Sequence, residues 1–587
     1  MEDENVIPSR DENFDTYVEH SVIAWMNEQQ TMRREPHNIH VTELNHCLLM
    51  SAGDRLFEVV FEDLADLNMM FIGICLEDSF AQHEFLANIY PSEVIKKKIP
   101  KSDTILIGEI DIDTARRGIF EIKSKESFWG LPSADRMNIP QLINVEVCGS
   151  PRIYNKAPAT SHIDQSNSYV MMKNSSLSHI IYFSRTSKEG IAPYTMRYTR
   201  DDVSKIREIL YERGVEYDEA ITEAFQYSDM ATIVRILNEK LVPEPSGLCA
   251  YCIYGGTLSN KYRNGRKSGL KNFCPIKDLS VRYGFTRVHT VIPKELYLNT
   301  DLRAHIYRSI IGLFRERYLP RVTETPPLPP IDTYRFEILF FCPRLSNYIV
   351  NKYDLIYGIG ITEPGLFPYT TAQIAIHFNR LAIVEKLNEI LNPPVLIEGE
   401  KKQQYQIVEF ESSGKVRKKF LQLYPVINGY PTHIIPSARI RARKKEQRPP
   451  YEDDLIHIGT AQALTEKDFR LCYYPIKGAT VASFSLDFKE EIDLEILRME
   501  MNERVDKIFA VENGEPIPKI WCLWCPVRYL SDETGKSLCP KGAEYIQKFF
   551  EERKRAGRTS EADFTVNIEE VVTDDEPFPY LDDMGKF

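Results

Sequence analysis

From Ile39 onward, apolar positions return with helical spacing, and Thr42 stands where it is expected to cap a first helix. A second helix is expected over residues Gly73 to Ile89. The period then changes. Thr104–Ile112 and Gly118–Lys123 are β-rich runs separated by the polar turn Asp113–Gly118, and another strand is expected at His179–Ser184. An amphipathic helix is expected at Asp201–Arg213. Helix, strands, helix and strand in that order predict an α/β fold with a mixed sheet flanked by helices. A comparable helix-led segment begins again between 286 and 330, and Pro326–Pro330 reads as a stiff extended linker. The expected division is a polar, acidic N-terminal arm at 1–37, a domain at 38–285, a second at 286–560 and an acidic tail at 561–587.

Composition narrows the class. The chain has 587 residues, 43% of them hydrophobic, which is enough for more than one core. Eleven cysteines are too few for the disulfide scaffold of a small secreted protein, and their clustering favours metal ligation in a reducing compartment. The acidic first residues lack the apolar stretch of a signal peptide, and no run of about 18 apolar residues predicts a membrane span. A cytoplasmic or virus-associated protein without a membrane partner is expected. The formal net charge of −12 argues against coating nucleic acid non-specifically, but it leaves room for a local basic groove beside an acidic metal site.

The richest constellation is Gly108–Asp111 followed by Glu121–Lys123. Two strands joined by a turn would set Asp111 and Glu121 side by side, where hard Mg²⁺ or Mn²⁺ prefers carboxylate oxygens. Lys123, two residues on, shares a sheet face with Glu121 and can orient water or offset charge on a phosphorane. A plain exposed hairpin with alternating charges is the alternative. Glu77, on the helix begun at Gly73, can point toward the same metal, and Gln165 and Tyr169 lie one helical turn apart, suited to a phosphate or a base.

Cys249, Cys252 and Cys274, with Cys47 far upstream, supply four thiolates, enough for zinc or a [4Fe–4S] cluster. Cys75 and Cys148 read as core residues. Lys261–Lys267 forms a basic loop with one tyrosine, either a contact to DNA backbone or a solvated insertion.

Taken in order, Thr42–Cys47, the helix at Gly73, Asp111, Glu121 with Lys123, Gln165 with Tyr169, and the late cysteines resemble the RecB-like and CRISPR-associated exonucleases that carry an iron–sulfur cluster. These belong to the PD-(D/E)XK superfamily. The resemblance covers about residues 38–282. It implies a restriction-endonuclease-like core closed by a C-terminal cysteine clasp, with one [4Fe–4S] cluster held by Cys47, Cys249, Cys252 and Cys274. It also implies a catalytic set of Asp111, Glu121 and Lys123, a metal bound by Asp111, Glu121 and Glu77, and a Gln165–Tyr169 pair. Glu77 stands where the family usually has histidine.

The same grammar recurs after residue 290. Thr300–His305 overlays Thr42–Cys47, Glu409 and Glu411 overlay Glu121 and Lys123, and Asp354 stands for Asp111. Gln462 is followed four residues later by Glu466 where a tyrosine is required. Cys522, Cys525 and Cys539 repeat the cysteine ending, and His305 or Cys342 would complete a zinc or second iron–sulfur site. The basic run Arg439–Lys445 is a candidate nucleic-acid contact or a solvated face. The expected whole is a Mg²⁺- or Mn²⁺-dependent DNA exonuclease on single strands or ends, with a degenerate second copy that binds DNA or a helicase, CRISPR-associated or viral protein. The rival is a non-catalytic scaffold made of two nuclease-like folds.

Overall fold

The computed structural model describes residues 8–31, 35–45, 47–56, 63–83, 89–90, 94–114, 118–125, 128, 131–134, 137, 139, 156–185, 190–241, 290–318, 331–332, 371–392, 405–412, 415–422, 424–437, 440, 449–487, 494–499, 502 and 539–555. The chain divides into two compact units, the first built on Val22–Arg303 and the second on Met1–Ser21 with Ala304–Glu576. Both are mixed α/β, with sheets that combine parallel and antiparallel neighbours. Among the described residues no helix is long and apolar enough to cross a membrane.

The first described elements are strand β1 (Ser9–Arg10) and helix α1 (Glu12–Thr31). The arm expected at 1–37 is therefore mostly a regular helix. In the first unit β2 (Asn38–His40) leads into α2 (Val41–Leu44) and α3 (Leu48–Leu56). The cap of α2 is His40 rather than Thr42, because Glu43 reaches back 2.8 Å to the His40 N–H. Helix α4 (Leu64–Gln82) starts nine residues before the expected Gly73, where Asp63 accepts from the Ala65 N–H at 2.8 Å. Leu64, Leu67, Phe71, Cys75 and Phe80 form its buried stripe, and Glu77 falls beside it.

After β3 (Ile89–Tyr90) and β4 (Val94–Lys98), the single β-run expected at Thr104–Ile112 breaks in two. β5 (Ile105–Glu109) pairs with β2 and β4 in a three-stranded sheet, whereas β6 (Ile112–Thr114) pairs with β3 and with β7 (Gly118–Lys125) in another. Helix α5 (Thr160–Lys173) follows, then β8 (Leu177–Ser184), parallel to β7, and β9 (Ile191–Arg197), antiparallel to β8. The helix expected at Asp201–Arg213 is α6 (Arg200–Ala224), started by a capping box of Thr199 and Asp202; it is followed by α7 (Met230–Lys240). β10 (Glu295–Leu298) adds to the far side of β9 and leads into α8 (Thr300–Tyr318).

In the second unit, β11 (Ile331–Asp332), helix α9 (Thr371–Leu391), and the hairpin β12 (Tyr405–Ser412) with β13 (Lys415–Gln422) precede the main sheet. That sheet contains β14 (Val426–Ile427), β15 (Tyr430–Ser437), β16 (Phe469–Pro475) and β17 (Ala482–Leu486), with α10 (Glu452–Thr465) between β15 and β16. Helix α11 (Pro540–Arg555) ends the described chain.

The two main sheets share one order. β10-β9-β8-β7-β6 in the first unit matches β1-β17-β16-β15-β14 in the second. Both helices between the parallel strands have 14 residues and end on a left-handed residue, Asn174 or Glu466, whose N–H turns back to Val170 or Gln462. In each unit a strand tyrosine accepts from the N-cap N–H of its helix, Tyr182 from Ala159 at 3.1 Å and Tyr473 from Tyr451 at 3.2 Å. The same hydroxyl meets the third helical residue, His162 in one copy and Asp454 in the other. Asn299 and Asp11 also correspond. Their N–H groups donate to Pro193 and Ser483, and their side chains cap α8 and α1. The first strand of each repeat thus pairs into the sheet formed by the rest of the other repeat.

β1 and the start of α1 are held in the second unit by Arg470, on β16. Its Nε donates to Asp11 Oδ2 at 3.0 Å and its Nη1 to the Ile427 carbonyl at 3.2 Å. The guanidinium lies between the rings of Phe14 and Tyr430, 4.0 and 4.5 Å from their centroids. Arg470→Ala removes all four contacts and leaves Asp11 without its partner. Loss of about 2–4 kcal/mol is expected in the unfolding transition of the second unit, measured by denaturant titration, while the first unit's transition stays put.

Candidate active site

The site forms where the first unit's two sheets part. Ile110 is buried and Asp111 sits in the short bend between β5 and β6. β6 pairs with β7 only as far as Phe120, so beyond that point β7 has lost its strand neighbour on this side. Asp111 Oδ2 takes the freed Ile122 N–H at 2.6 Å. The aspartate therefore continues the ladder while bringing its charge beside Glu121.

Glu121 is fully buried. Among the described residues its Oε2 meets no hydrogen-bond donor and its Oε1 meets only the Lys123 ammonium, in close contact. Burial, then the charge on Asp111, push the Glu121 carboxyl up to about 8, although Lys123 works against this. Asp111 is raised as well, chiefly by burial. Glu77, on α4, places Oε1 3.7 Å from Lys123 Nζ, and its carboxyl is pushed well above the ordinary range by burial and by Asp111. Lys123 responds in the opposite sense. Burial pulls its pKa down, but Glu121, Glu77 and Asp111 outweigh burial and hold it above its ordinary value. At neutral pH it is an ammonium, suited to donating and to offsetting charge rather than to removing a proton.

Gln165 and Tyr169 line the same region from α5. Both are buried, and Gln165 Nε2 donates to the Tyr169 hydroxyl at 3.1 Å. The tyrosine pKa is raised well above its ordinary value, by burial first and then by Glu121 and Asp111. Gly108 lets α5 approach this closely. A Cβ there would sit 2.9 Å from Met172 Sδ and 3.2 Å from the Tyr169 ring.

Asp111, Glu121, Lys123, Glu77, Gln165 and Tyr169 therefore lie in one region, with acid charge in excess of base. Among the described residues no three His, Cys, Asp or Glu side chains converge as a preformed metal cage. Cys47 is half-buried against the first unit's core. Cys249, Cys252 and Cys274 lie outside the described residues, as do Cys148 and the loop Lys261–Lys267.

The sheet correspondence corrects the residue matching in the second copy. Register along β15 and β16 sets Ile435 against Tyr473 and His433 against Leu471, as Lys123 faces Tyr182 and Glu121 faces Ile180. The equivalents of Glu121 and Lys123 are thus His433 and Ile435, rather than Glu409 and Glu411, which belong to the separate hairpin strand β12. Continuing the β14–β15 register by one pair beyond Pro425 and Thr432 sets Tyr424 where Asp111 stands. The rings of Tyr424 and His433 meet edge to face, 5.0 Å between centroids. Gln462 matches Val170, not Gln165, and Ala461 stands at the Tyr169 position. His305 moves too, since α8 corresponds to α1 and not to the segment that carries Cys47. Cys539 is buried. Asp354, Cys342, Cys522, Cys525 and, of the run Arg439–Lys445, every residue but Ile440 lie outside the described residues. An edge-to-face ring pair in place of two acids was legible only through pairing register, since no sequence spacing announces it.

No family model matches the sequence, and no curated protein does. A solved structure described as the crystal structure of SSO0001 is 15% identical, covering 40% of this chain and 92% of that one at a TM-score of 0.26.

The Glu121 shift has a measurable consequence. Its folded-state value of about 8 lies above the ordinary 4.5, so the protonated acid favours the folded state. This contribution is complete at pH values below about 4.5 and is lost as pH rises through about 8. Metal-free protein should therefore lose stability across that window. A divalent ion needs the carboxylate, so Mn²⁺ should raise the melting temperature more at pH 8 than at pH 5.5. Thermal melts with and without Mn²⁺ check this; a shift independent of pH, or abolished only by changes outside Glu121 and Asp111, would contradict it.

Proposed function

We propose that the chain is a divalent-metal-dependent deoxyribonuclease of the PD-(D/E)XK type, acting from its first unit on single strands or DNA ends. The observation that carries this reading is the buried Glu121 carboxylate between Asp111 and the Lys123 ammonium, with one oxygen that meets no donor among the described residues. A carboxylate so withdrawn from water, among further acids that raise its pKa, fits a cation-binding role better than a structural ion pair. Asp111 and Glu121 would hold the ion, with Glu77 as the third acid. A bound Mg²⁺ or Mn²⁺ polarises a phosphate and lowers the pKa of water.

The chain's own residues supply the rest. Lys123, kept charged by its acids, donates to a water or phosphate oxygen and offsets negative charge as it builds. Tyr169, with its hydroxyl fixed by Gln165, stays protonated and offers a second donor. The cysteine clasp belongs to the same proposal, with Cys47, Cys249, Cys252 and Cys274 around a [4Fe–4S] cluster. Cys522, Cys525 and Cys539 would form a second clasp, holding zinc or another cluster.

In the second unit Tyr424, His433 and Ile435 replace an acid, an acid and a lysine. That set favours a role in binding DNA or a protein partner over hydrolysis. Anaerobically purified protein should cut labelled single-stranded DNA in Mn²⁺ and not in EDTA. Lys123→Ala should lower turnover about 10²–10⁴-fold, with Lys123→Arg partly restoring it. Because Lys123 also partners buried Glu121, melting is measured on each variant. His433→Ala should leave the rate unchanged. Absence of cleavage of both single- and double-stranded DNA by intact protein would replace this reading with that of a scaffold.

A further inference from the structure

β7 continues beyond the acid–lysine pair. Lys125, two residues past Lys123, leaves the strand on the same face as Glu121 and Lys123, about 6–7 Å further along. It is half-buried and has no acidic partner among the described residues. The side chains whose charges act on it, Lys123 and Arg185, are both cations, and with burial they lower its pKa. Arg185 is tied to it through the backbone, its N–H donating to the Lys125 carbonyl at 2.8 Å. The N-terminus of α5 opens at this same end of β7 and β8. Its N-cap, Ala159, provides no side-chain cap, and Tyr182, opposite Lys123 in register, contacts both Ala159 and His162. The positive end of that helix dipole adds to the two cations.

The strand is therefore electrically divided along one face. Acids gather at Glu121 and Asp111, and positive charge that no acid among the described residues offsets gathers one nucleotide's reach away at Lys125. A half-buried lysine beside other cations is unfavourable unless an anion completes it, and the neighbouring acids already surround Lys123.

We propose that Lys125 binds the backbone phosphate next to the scissile one, aligning a single strand across Glu121 and Lys123. This rests on the nuclease reading above. Lys125 is a positioning residue, since it touches a phosphate that does not react. In a helix-free strand each phosphate contact contributes about 0.7 to the slope of log affinity against log salt.

The test uses the full chain and a fluorescein-labelled oligothymidylate, with binding in Ca²⁺ over a salt series and cleavage in Mn²⁺. Lys125→Ala should weaken binding about tenfold at low salt and reduce the slope by about 0.7. Its KM should rise with kcat nearly unchanged, and Lys125→Arg should restore both affinity and slope. A melting temperature equal to wild type certifies that the variant is folded; if Lys125→Ala fails to fold, Lys125→Gln takes its place. A folded variant with unaltered affinity and slope would overturn the subsite, even if the wild type cuts DNA. A wild type that never cuts, yet binds with a Lys125-dependent slope, would overturn the hydrolytic reading and leave the phosphate contact standing.

Discussion

A carboxylate taken out of water must be matched by positive charge or give up its ionised form. Glu121 faces that choice at the seam where two sheets of the first unit part. Lys123 answers it in part, and Asp111 sharpens it by bringing a second charge while occupying the backbone donor of Ile122. The seam is what makes this possible. If β6 had run on beside β7, Asp111 would have found the Ile122 N–H already paired, and its carboxylate would have turned elsewhere. The local break in the ladder, the excess of acid and the charged state of Lys123 follow from one another.

Much of this could be read from the sequence, because strand periodicity is strict. Residues two apart share a face, so Glu121 and Lys123 are neighbours under any pairing. The helix bearing Gln165 and Tyr169 needed only its 3.6-residue repeat. What could not be read was where strands end. Thr104–Ile112 looks continuous, yet Gly108, Ile110 and Asp111 carry the chain from one sheet to another. That crossing depends on α5 packing against Gly108, a tertiary fact. α4 was longer than expected because Asp63, an N-cap without the usual Glu or Gln three residues on, gives a weak signal beside the stronger punctuation of Gly73.

The second copy shows a different failure. Matching short runs of like residues set Glu409 and Glu411 over Glu121 and Lys123, since all lie in β-like sequence with alternating apolar positions. Pairing partners decide such matches, and partners are non-local. Tyr473 and Tyr182, each bonded to the first turn of its helix, fix the true alignment, leaving His433 edge to face with Tyr424 where two acids meet in the first copy. Hard cations have little use for that pair, and the second unit carries the same sheet order without the electrostatic problem that defines the other.

The exchange of leading segments sets an order of assembly on the ribosome. β10 emerges about a hundred residues after its partner β9, whereas Ser9 lies 476 residues before Ser485, its partner on β17. At typical synthesis rates of about 5–20 residues per second, β1 and the start of α1 wait for about 25–95 seconds. The first unit can close its sheet during that interval, and the second cannot. The amino end of α1 must stay tolerable while unpartnered, and its short two-residue strand, with Asp11, Glu12 and Asp15 alongside, is well suited to the delay: little ladder is on offer to a passing edge, and like charges discourage it.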